Sequence, residues 1–240
     1  MNFPKGLRQY PRFALALFFI IGLMSCNDAS QTPAAGSASQ SQGYTRVNEA
    51  TENDPLNAHI FELDNGLRVY LTENHEEPRF YAEIAVRAGS KHDPSDGTGL
   101  AHYLEHLLFK GNQNLGTLNY EAEKPYLDEI INLYEEHFSE TDDTRRAEIY
   151  SEINRVAQIA AEYAVPNEID KIYNSMGGTG LNAHTWYEET VYKIGLPSNR
   201  LQQWAEIESD RFVNPVFRLF HTELETVYEE KNRSLDNAGR

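Results

Sequence analysis

The chain has 240 residues, a formal net charge of −16 and a single cysteine, Cys26. This length suffices for one good hydrophobic core with room for a small second one, and a hydrophobic content of 40% is that of a folded protein. The strong negative charge argues against nucleic acid as a partner. The lone cysteine excludes an intramolecular disulfide.

The first 25 residues have the pattern of an export signal. Basic residues without any acid precede an apolar run over residues 13–24, which is short for a membrane span and typical of a signal-peptide core. The run leads into Leu-Met-Ser-Cys26, which resembles the bacterial lipoprotein box. We therefore predict a signal peptide over residues 1–25, lipidation of Cys26, and an exported chain anchored by lipid to a bacterial cell membrane, on its periplasmic or surface side. An ordinary signal peptide with an incidental cysteine is the alternative.

The folded part is predicted to begin after a spacer. Residues 26–55 are dominated by small and polar side chains and predict a flexible segment, whereas residues 56–240 predict a folded domain. Residues 59–63 and 67–71 flank an Asp-Asn-Gly turn and predict a β-hairpin, because Asn-Gly supplies the positive φ that a tight turn requires. Residues 80–86 alternate and predict the next strand.

A metal-binding helix is predicted around the His-x-x-Glu-His sequence that ends at His106. Successive residues of an α-helix turn by about 100°, so His102, Glu105 and His106 share one face. Two imidazoles one turn apart commonly bind zinc, and a carboxylate beside them can take a proton from water. The order is that of the inverted zincin motif. The alternative is a polar helix face that carries two histidines by chance.

The same stretch has the other features of a helix. Asp96 or Thr98 is predicted to cap its start, and Gly111 is predicted to follow its end. Three apolar residues on the other flanks are predicted to pack the helix into a core: Leu104, Leu107 and Leu108.

A pair of helices is predicted next. Apolar residues recur at helical spacing over residues 126–138 and 147–163, with a polar break between them, and Pro166 closes the region. The glycine-rich residues 176–180 predict a turn before an edge strand, since no Gly-Lys-Ser/Thr follows to make a phosphate loop.

The last part of the chain predicts strands and amphipathic helices. Strands are expected over residues 181–186 and 190–194. Helices are expected over residues 201–212 and 221–233, where apolar side chains recur at helical spacing.

Residues 64–71, 80–90 and 99–111 together resemble the opening of the pitrilysin or insulinase-type peptidases, the M16 family. The resemblance continues through residues 181–185 to residues 223–230 and so covers most of the folded part. It implies an α+β fold in which helices pack on a sheet rich in antiparallel strands.

The resemblance also implies how the metal site is completed. A catalytic zinc needs a third protein ligand and keeps one position for water. In the family this ligand is a glutamate on a later helix, with a second glutamate seven residues before it. Glu230 and Glu223 match this pair, so we expect Glu230 as the third ligand and Glu223 to orient a ligand or the base. Glu229 competes for the ligand role, but it points about 100° away and has no such partner.

Two further expectations follow from the resemblance. Asn182 and Ala183 match an edge strand that pairs with the substrate main chain, while the role of the neighbouring His184 stays open. The distance from His106 to the third ligand is longer than is usual in the family, and a helical insertion over about residues 121–172 is expected to account for the excess.

The sequence thus predicts a zinc-dependent endopeptidase of peptides or small unfolded proteins, with one Zn²⁺ per chain and Glu105 as the base. We expect the chain to be incomplete at its C-terminus and to need a second M16-like half or a partner chain. A truncated or non-catalytic binding or scaffold subunit is the alternative. S-ribosylhomocysteine lyase has a similar metal motif but needs a catalytic cysteine, which Cys26 in the signal cannot supply.

Overall fold

A computed structural model of the chain describes residues 43–49 and 54–236. These residues fall into two compact units, one reaching to Glu73 and the other starting at Asn74. The predicted domain over residues 56–240 crosses this division. Among the described residues, the first unit contains antiparallel strands and the second contains both helices and antiparallel strands. The predicted α+β class is therefore confirmed.

Two predictions concern the N-terminus of the chain. The signal peptide over residues 1–25 and the lipidation of Cys26 lie outside the described residues. Within residues 43–49 and 54–236, none of the helices is long and apolar enough to cross a bilayer.

The first unit contains a small antiparallel sheet of three strands in the order β1-β2-β3. Its strands are β1 (Tyr44–Arg46), β2 (His59–Leu63) and β3 (Arg68–Leu71). The predicted hairpin is confirmed as β2 and β3. Gly66 takes a positive φ of 84° in its turn, whereas the Asn65 side chain accepts a hydrogen bond from the Leu67 N–H at 3.0 Å.

The prediction of a flexible spacer over residues 26–55 is wrong for β1. The ring of Tyr44 lies 5.6 Å from that of Phe61 in β2. Just after β1, the amide of Asn48 donates to the Ala58 carbonyl at 2.7 Å and accepts from the Ile60 N–H at 2.8 Å. A strand of three residues is too short to show a period in sequence, and it forms because the hairpin offers it an edge.

The second unit is built on another antiparallel sheet, in the order β4-β6-β5. Its strands are β4 (Arg79–Val86), β5 (Thr179–Thr185) and β6 (Thr190–Pro197). All three match predicted strands, and β6 runs further than predicted because it lies between the other two and is buried along most of its length. Within the described residues, β5 is at an edge of the sheet, as predicted.

Six helices complete the described part of this unit: α1 (Leu100–Leu108), α2 (Tyr120–Ser139), α3 (Asp143–Ala161), α4 (Glu168–Ser175), α5 (Leu201–Val213) and α6 (Phe220–Asp236). Single 3₁₀ turns lie at Ser90–His92 and Ser198–Arg200. The sequence did not predict α4. Pro166 was expected to close the helical region, but Asn167 adopts a left-handed conformation with φ of 57° and a new helix starts after it.

The predicted helical pair is confirmed as α2 and α3, although its role as an insertion stays a prediction. The Asn119 side chain caps α2 by accepting from the Ala122 N–H at 3.3 Å, and Asp142 caps α3 by accepting from the Arg145 N–H at 2.8 Å. One face of α3 is buried: Ile149, Ile153, Val156 and Ala160.

The start of α1 differs from the prediction. Neither Asp96 nor Thr98 caps the helix; the residue before it is Gly99, and Asp93 accepts hydrogen bonds from the Gly99 N–H at 2.7 Å and the Ala101 N–H at 2.9 Å. A loop brings Asp93 back to the helix, so the local pattern could not reveal this cap. Among the apolar flank residues, Leu107 and Leu108 are buried as predicted, but Leu104 is 44% exposed.

Replacing Asp93 by Ala is expected to destabilise the protein by about 1 kcal/mol, because two N–H groups at the start of α1 lose their acceptor. For a protein of this size the melting temperature should fall by about 3 °C in calorimetry. Asp96→Ala is the matched control and should leave it unchanged. An equal fall in both variants would contradict the cap.

Candidate metal centre

The helices α1 and α6 pack directly against each other. Tyr103 and Leu107 of α1 form a buried cluster with Val227 of α6, and Phe220 packs against it. The Tyr103 hydroxyl donates to the Phe220 carbonyl at 2.7 Å. These contacts fix the rotation of both helices about their axes, so their polar faces lie next to each other.

His102, His106 and Glu230 come together where these polar faces meet. The Nε2 atoms of the two histidines are 3.2 Å apart, and Oε2 of Glu230 lies 3.5 Å from each of them. Ligand atoms about 2.0–2.1 Å from zinc at tetrahedral angles are about 3.3–3.4 Å apart. The three atoms therefore fit a zinc ion. The Glu230 side chain is 46% exposed, which leaves the open side for a fourth ligand.

Glu229, the competitor for the third position, lies outside this group. Its carboxylate is 3.5 Å from Arg233 one turn later, and both side chains are largely exposed. The structure thus brings together the three residues that were predicted as ligands.

Glu223 supports His106 from the side opposite to the cluster. Nδ1 of His106 donates to Oε2 of Glu223 at 3.3 Å, and Lys110 Nζ lies 2.5 Å from the other carboxylate oxygen. A carboxylate can only accept, so the neutral imidazole that makes this bond has its proton on Nδ1, and its Nε2 then presents a lone pair toward the cluster. Glu223 thus contacts His106, one of the residues that it was predicted to orient, and the orienting role itself stays a prediction.

The contacts among Lys110, Glu223 and His106 shift the pKa values of His106 and Glu223. The hydrogen bond to Glu223 raises the pKa of His106, while burial acts in the opposite direction. Burial by itself would raise the pKa of Glu223, but hydrogen bonds from His106 and Lys110 together bring it below the usual value. Glu223 therefore remains a charged acceptor for both partners.

A residue of the sheet binds the Glu105 carboxylate through a hydrogen bond. Its side chain is buried, at 7% exposure, and its Oε2 accepts a hydrogen bond from the Thr185 hydroxyl at 2.6 Å. The Thr190 hydroxyl, 3.3 Å from that of Thr185, donates to the Ala88 carbonyl at 2.9 Å. Since each hydroxyl has one proton, Thr185 gives its proton to Glu105. The carboxylate is thus fixed in orientation beside the two histidines.

The predicted substrate residues lie on the same strand as Thr185. Asn182 is exposed and Ala183 is half-buried, and both belong to β5, the edge strand. The adjacent His184 is 3.9 Å from Glu189, and both are about half exposed. The predicted lipidation residue Cys26 lies outside the part of the chain that the structure describes.

Sequence reasoning missed two residues of the site, Lys110 and Thr185. Lys110 lies two residues after the end of α1 and carried no signal of its own. The alternation of β5 could have placed Thr185 on the same face as Ala183, but only the packing of α1 on the sheet reveals its bond to Glu105.

Comparison with known sequences finds a family match over part of the chain. Residues 68–132 match the sequence model of the insulinase family, peptidase family M16. The probable zinc protease PqqL of Haemophilus influenzae is 27% identical over 149 residues, which are 62% of this chain and 11% of that protein. Insulin-degrading enzyme of Drosophila melanogaster is 31% identical over 105 residues, which are 43% of this chain and 10% of the enzyme. The chain thus spans about a tenth of the length of these curated relatives.

The fold of the chain is similar to that of a solved protease structure. The crystal structure of a protease from Helicobacter pylori superposes with a TM-score of 0.51 at 22% identity, over 75% of this chain and 32% of that one. Residues 68–132 thus match peptidase family M16, and the chain is similar to zinc proteases in sequence and to the Helicobacter pylori protease in fold.

Proposed function

We propose that this chain carries the metal-binding and proton-transfer residues of a zinc-dependent endopeptidase that hydrolyses peptides or small unfolded proteins. One Zn²⁺ per chain would be held by His102, His106 and Glu230. The observation that carries the proposal is the spacing of three donor atoms, 3.2 and 3.5 Å apart, beside the buried carboxylate of Glu105.

In this proposal Glu105 moves the protons. A zinc ion, when bound, supplies Lewis acidity that polarises a carbonyl group and makes a water molecule more acidic. Glu105 accepts a proton as the water oxygen attacks the scissile carbonyl carbon, and it gives the proton to the amine nitrogen as the C–N bond breaks. The bond from Thr185 holds the carboxylate in place throughout, so that little reorganisation accompanies either transfer.

The edge strand would align the substrate. The outer edge of β5 has no strand beside it within the described residues, so its backbone N–H and C=O groups can pair with an extended peptide. Asn182 and Ala183 lie on this strand three and two residues before Thr185, which contacts Glu105. A peptide paired there would run close to the carboxylate.

The proposal includes partners besides the peptide. The cluster is open on one side, with side chains of His102 and Glu230 exposed by 37% and 46%. Exclusion of water from a bound peptide would need another surface, which we assign to a second M16-like half or a partner chain. We also propose export and lipid anchoring through Cys26, on the basis of the sequence pattern of the N-terminus.

The direct test is zinc content and cleavage of an unstructured peptide mixture, measured on the same sample of purified chain by metal analysis and mass spectrometry. One zinc per chain with cleavage that a chelator abolishes would support the proposal. Stoichiometric zinc without cleavage, even after addition of a second M16-like half, would favour the non-catalytic alternative.

The assignment of the third ligand has its own test. Glu230→Gln is expected to weaken zinc binding by at least about 100-fold in equilibrium dialysis, since changes to groups that only support ligands already cost about 10–100-fold. Glu229→Gln is the matched control, because it removes the same charge one residue away from the cluster. A similar loss in both variants, or none in Glu230→Gln, would contradict the assignment.

A further inference from the structure

The chain segment that leads into α6 is tied to the loop that follows α1. We call residues 214–219 the linker. Pro215 forms a β-bridge with Asn112, and the Val216 N–H donates to the Gly111 carbonyl at 3.2 Å. The linker therefore runs along the loop that starts where the histidine helix ends.

Arg218 is the centre of this contact. Its guanidinium donates to three carbonyls of the loop, those of Lys110, Asn112 and Leu115, at 2.8, 2.9 and 3.0 Å. It also forms two hydrogen bonds with the Glu123 carboxylate of α2, at 2.8 and 3.1 Å. Gly116 allows this approach, since a Cβ there would lie 2.9 Å from the guanidinium and 2.0 Å from the Lys110 carbonyl oxygen.

The residue after Arg218 has an unusual backbone conformation. Leu219 has φ of 56°, one of three positive values for residues other than glycine in the described part of the chain. The left-handed region is unfavourable for a bulky side chain and persists only where the surroundings impose it. Here the carbonyl of Leu219 accepts the first hydrogen bond of α6, from the Glu223 N–H at 3.1 Å. The conformation of Leu219 thus sets the direction in which α6 starts.

The direction of α6 matters because a ligand lies far along it. Glu230 follows Leu219 by 11 residues, which is about 16 Å of helix. A tilt of about 10° at the start would move Glu230 by about 3 Å, whereas metal–ligand distances tolerate about 0.2 Å. A residue at the start of the helix can therefore control whether the third ligand reaches the histidines.

We propose that Leu219 is a positioning residue for the metal centre: Arg218 holds it in the left-handed conformation, which aims α6 so that Glu230 meets His102 and His106. This inference rests on the proposed function, in which Glu230 binds zinc. The metal centre would thus require a positive φ at position 219, whatever the size of the side chain there.

The test compares three replacements of Leu219 that separate backbone from side chain. Gly and Ala both remove the side chain, but only Gly adopts a positive φ readily; Ile keeps the volume of Leu, yet its β-branch disfavours that conformation more strongly than Ala does. Zinc affinity is measured by competition with a chromophoric chelator, and circular dichroism of the zinc-free protein checks folding.

We expect Leu219→Gly to bind zinc within about threefold of the unaltered chain, Leu219→Ala to bind several-fold more weakly than Leu219→Gly, and Leu219→Ile to be weakest, by about tenfold or more. If Leu219→Ile does not fold, the Gly and Ala pair decides. Equal affinities for Gly and Ala, or a loss with Gly as large as with Ile, would overturn the inference. Failure of the proposed function is distinguishable, since the unaltered chain would then bind no zinc or Glu230→Gln would keep its affinity.

Discussion

Glu105→Gln is expected to lower the rate of peptide hydrolysis by about 10²–10⁴-fold, the usual contribution of a general base. Gln has nearly the shape of Glu and can still accept the hydrogen bond from Thr185, but it cannot take a proton from water. Zinc binding should be unchanged, because Glu105 is not among the three clustered donors. Initial rates of cleavage by mass spectrometry and zinc content of the same samples measure both quantities.

Thr185→Val is the companion variant for this experiment. Val keeps the shape of Thr but removes the hydroxyl, so Glu105 would keep its charge and lose its orientation. We expect a smaller loss of rate than in Glu105→Gln, again with zinc retained. Hydrolysis by Glu105→Gln at the unaltered rate would exclude it as the base, and loss of zinc in that variant would mean that Glu105 belongs to the ligand set.

Arg218→Met is expected to lower the free energy of unfolding by about 3–5 kcal/mol, because it leaves the Glu123 carboxylate buried without a counter-charge. The two side chains are 2% and 0% exposed. At about 2–4 °C per kcal/mol for a protein of this size, the melting temperature should fall by about 10 °C. Chemical denaturation followed by circular dichroism gives the free energy directly.

Two further variants identify the cause of this loss. Arg145→Met is the matched control: it also breaks an ion pair with α2, that of Arg145 with Glu136 at 2.9 Å, but both of those side chains are about half exposed, so stability should hardly change. The double variant Arg218→Met/Glu123→Gln should recover part of the loss, since no buried charge remains. A double variant no more stable than Arg218→Met would show that the lost bonds to the loop carbonyls, not the charge, are responsible.

The sequence predicted the elements whose side chains repeat with a clear period. The helical spacing of the apolar residues in α2 and α3 and the alternation in β4 are properties of single segments, and they suffice to place those elements. The shared face of His102, Glu105 and His106 follows from helix geometry alone. Glu230 could not be found in this way, because nothing in local spacing connects it to residues of α1; the family resemblance supplied it.

The missed side-chain contacts each join residues that do not belong to the same helix or strand. Asp93 caps α1 from across a loop, Thr185 reaches Glu105 from the sheet, and Arg218 joins the linker to α2. Each of these side chains is a common polar residue in an ordinary position when only the sequence is read. Their roles arise from the packing of α1, α2, α6 and the sheet, which no periodicity encodes.

The edge strand also restricts where a bound peptide could be cut. Antiparallel pairing repeats every two residues, so a peptide that slides along β5 by two residues, about 6.8 Å, recovers its hydrogen bonds, whereas a slide by one residue turns every side chain to the opposite face. Thr185 belongs to this strand and fixes Glu105, so the point of attack is tied to the same register. On a peptide of uniform sequence, the proposed mechanism would therefore cut at intervals of two residues.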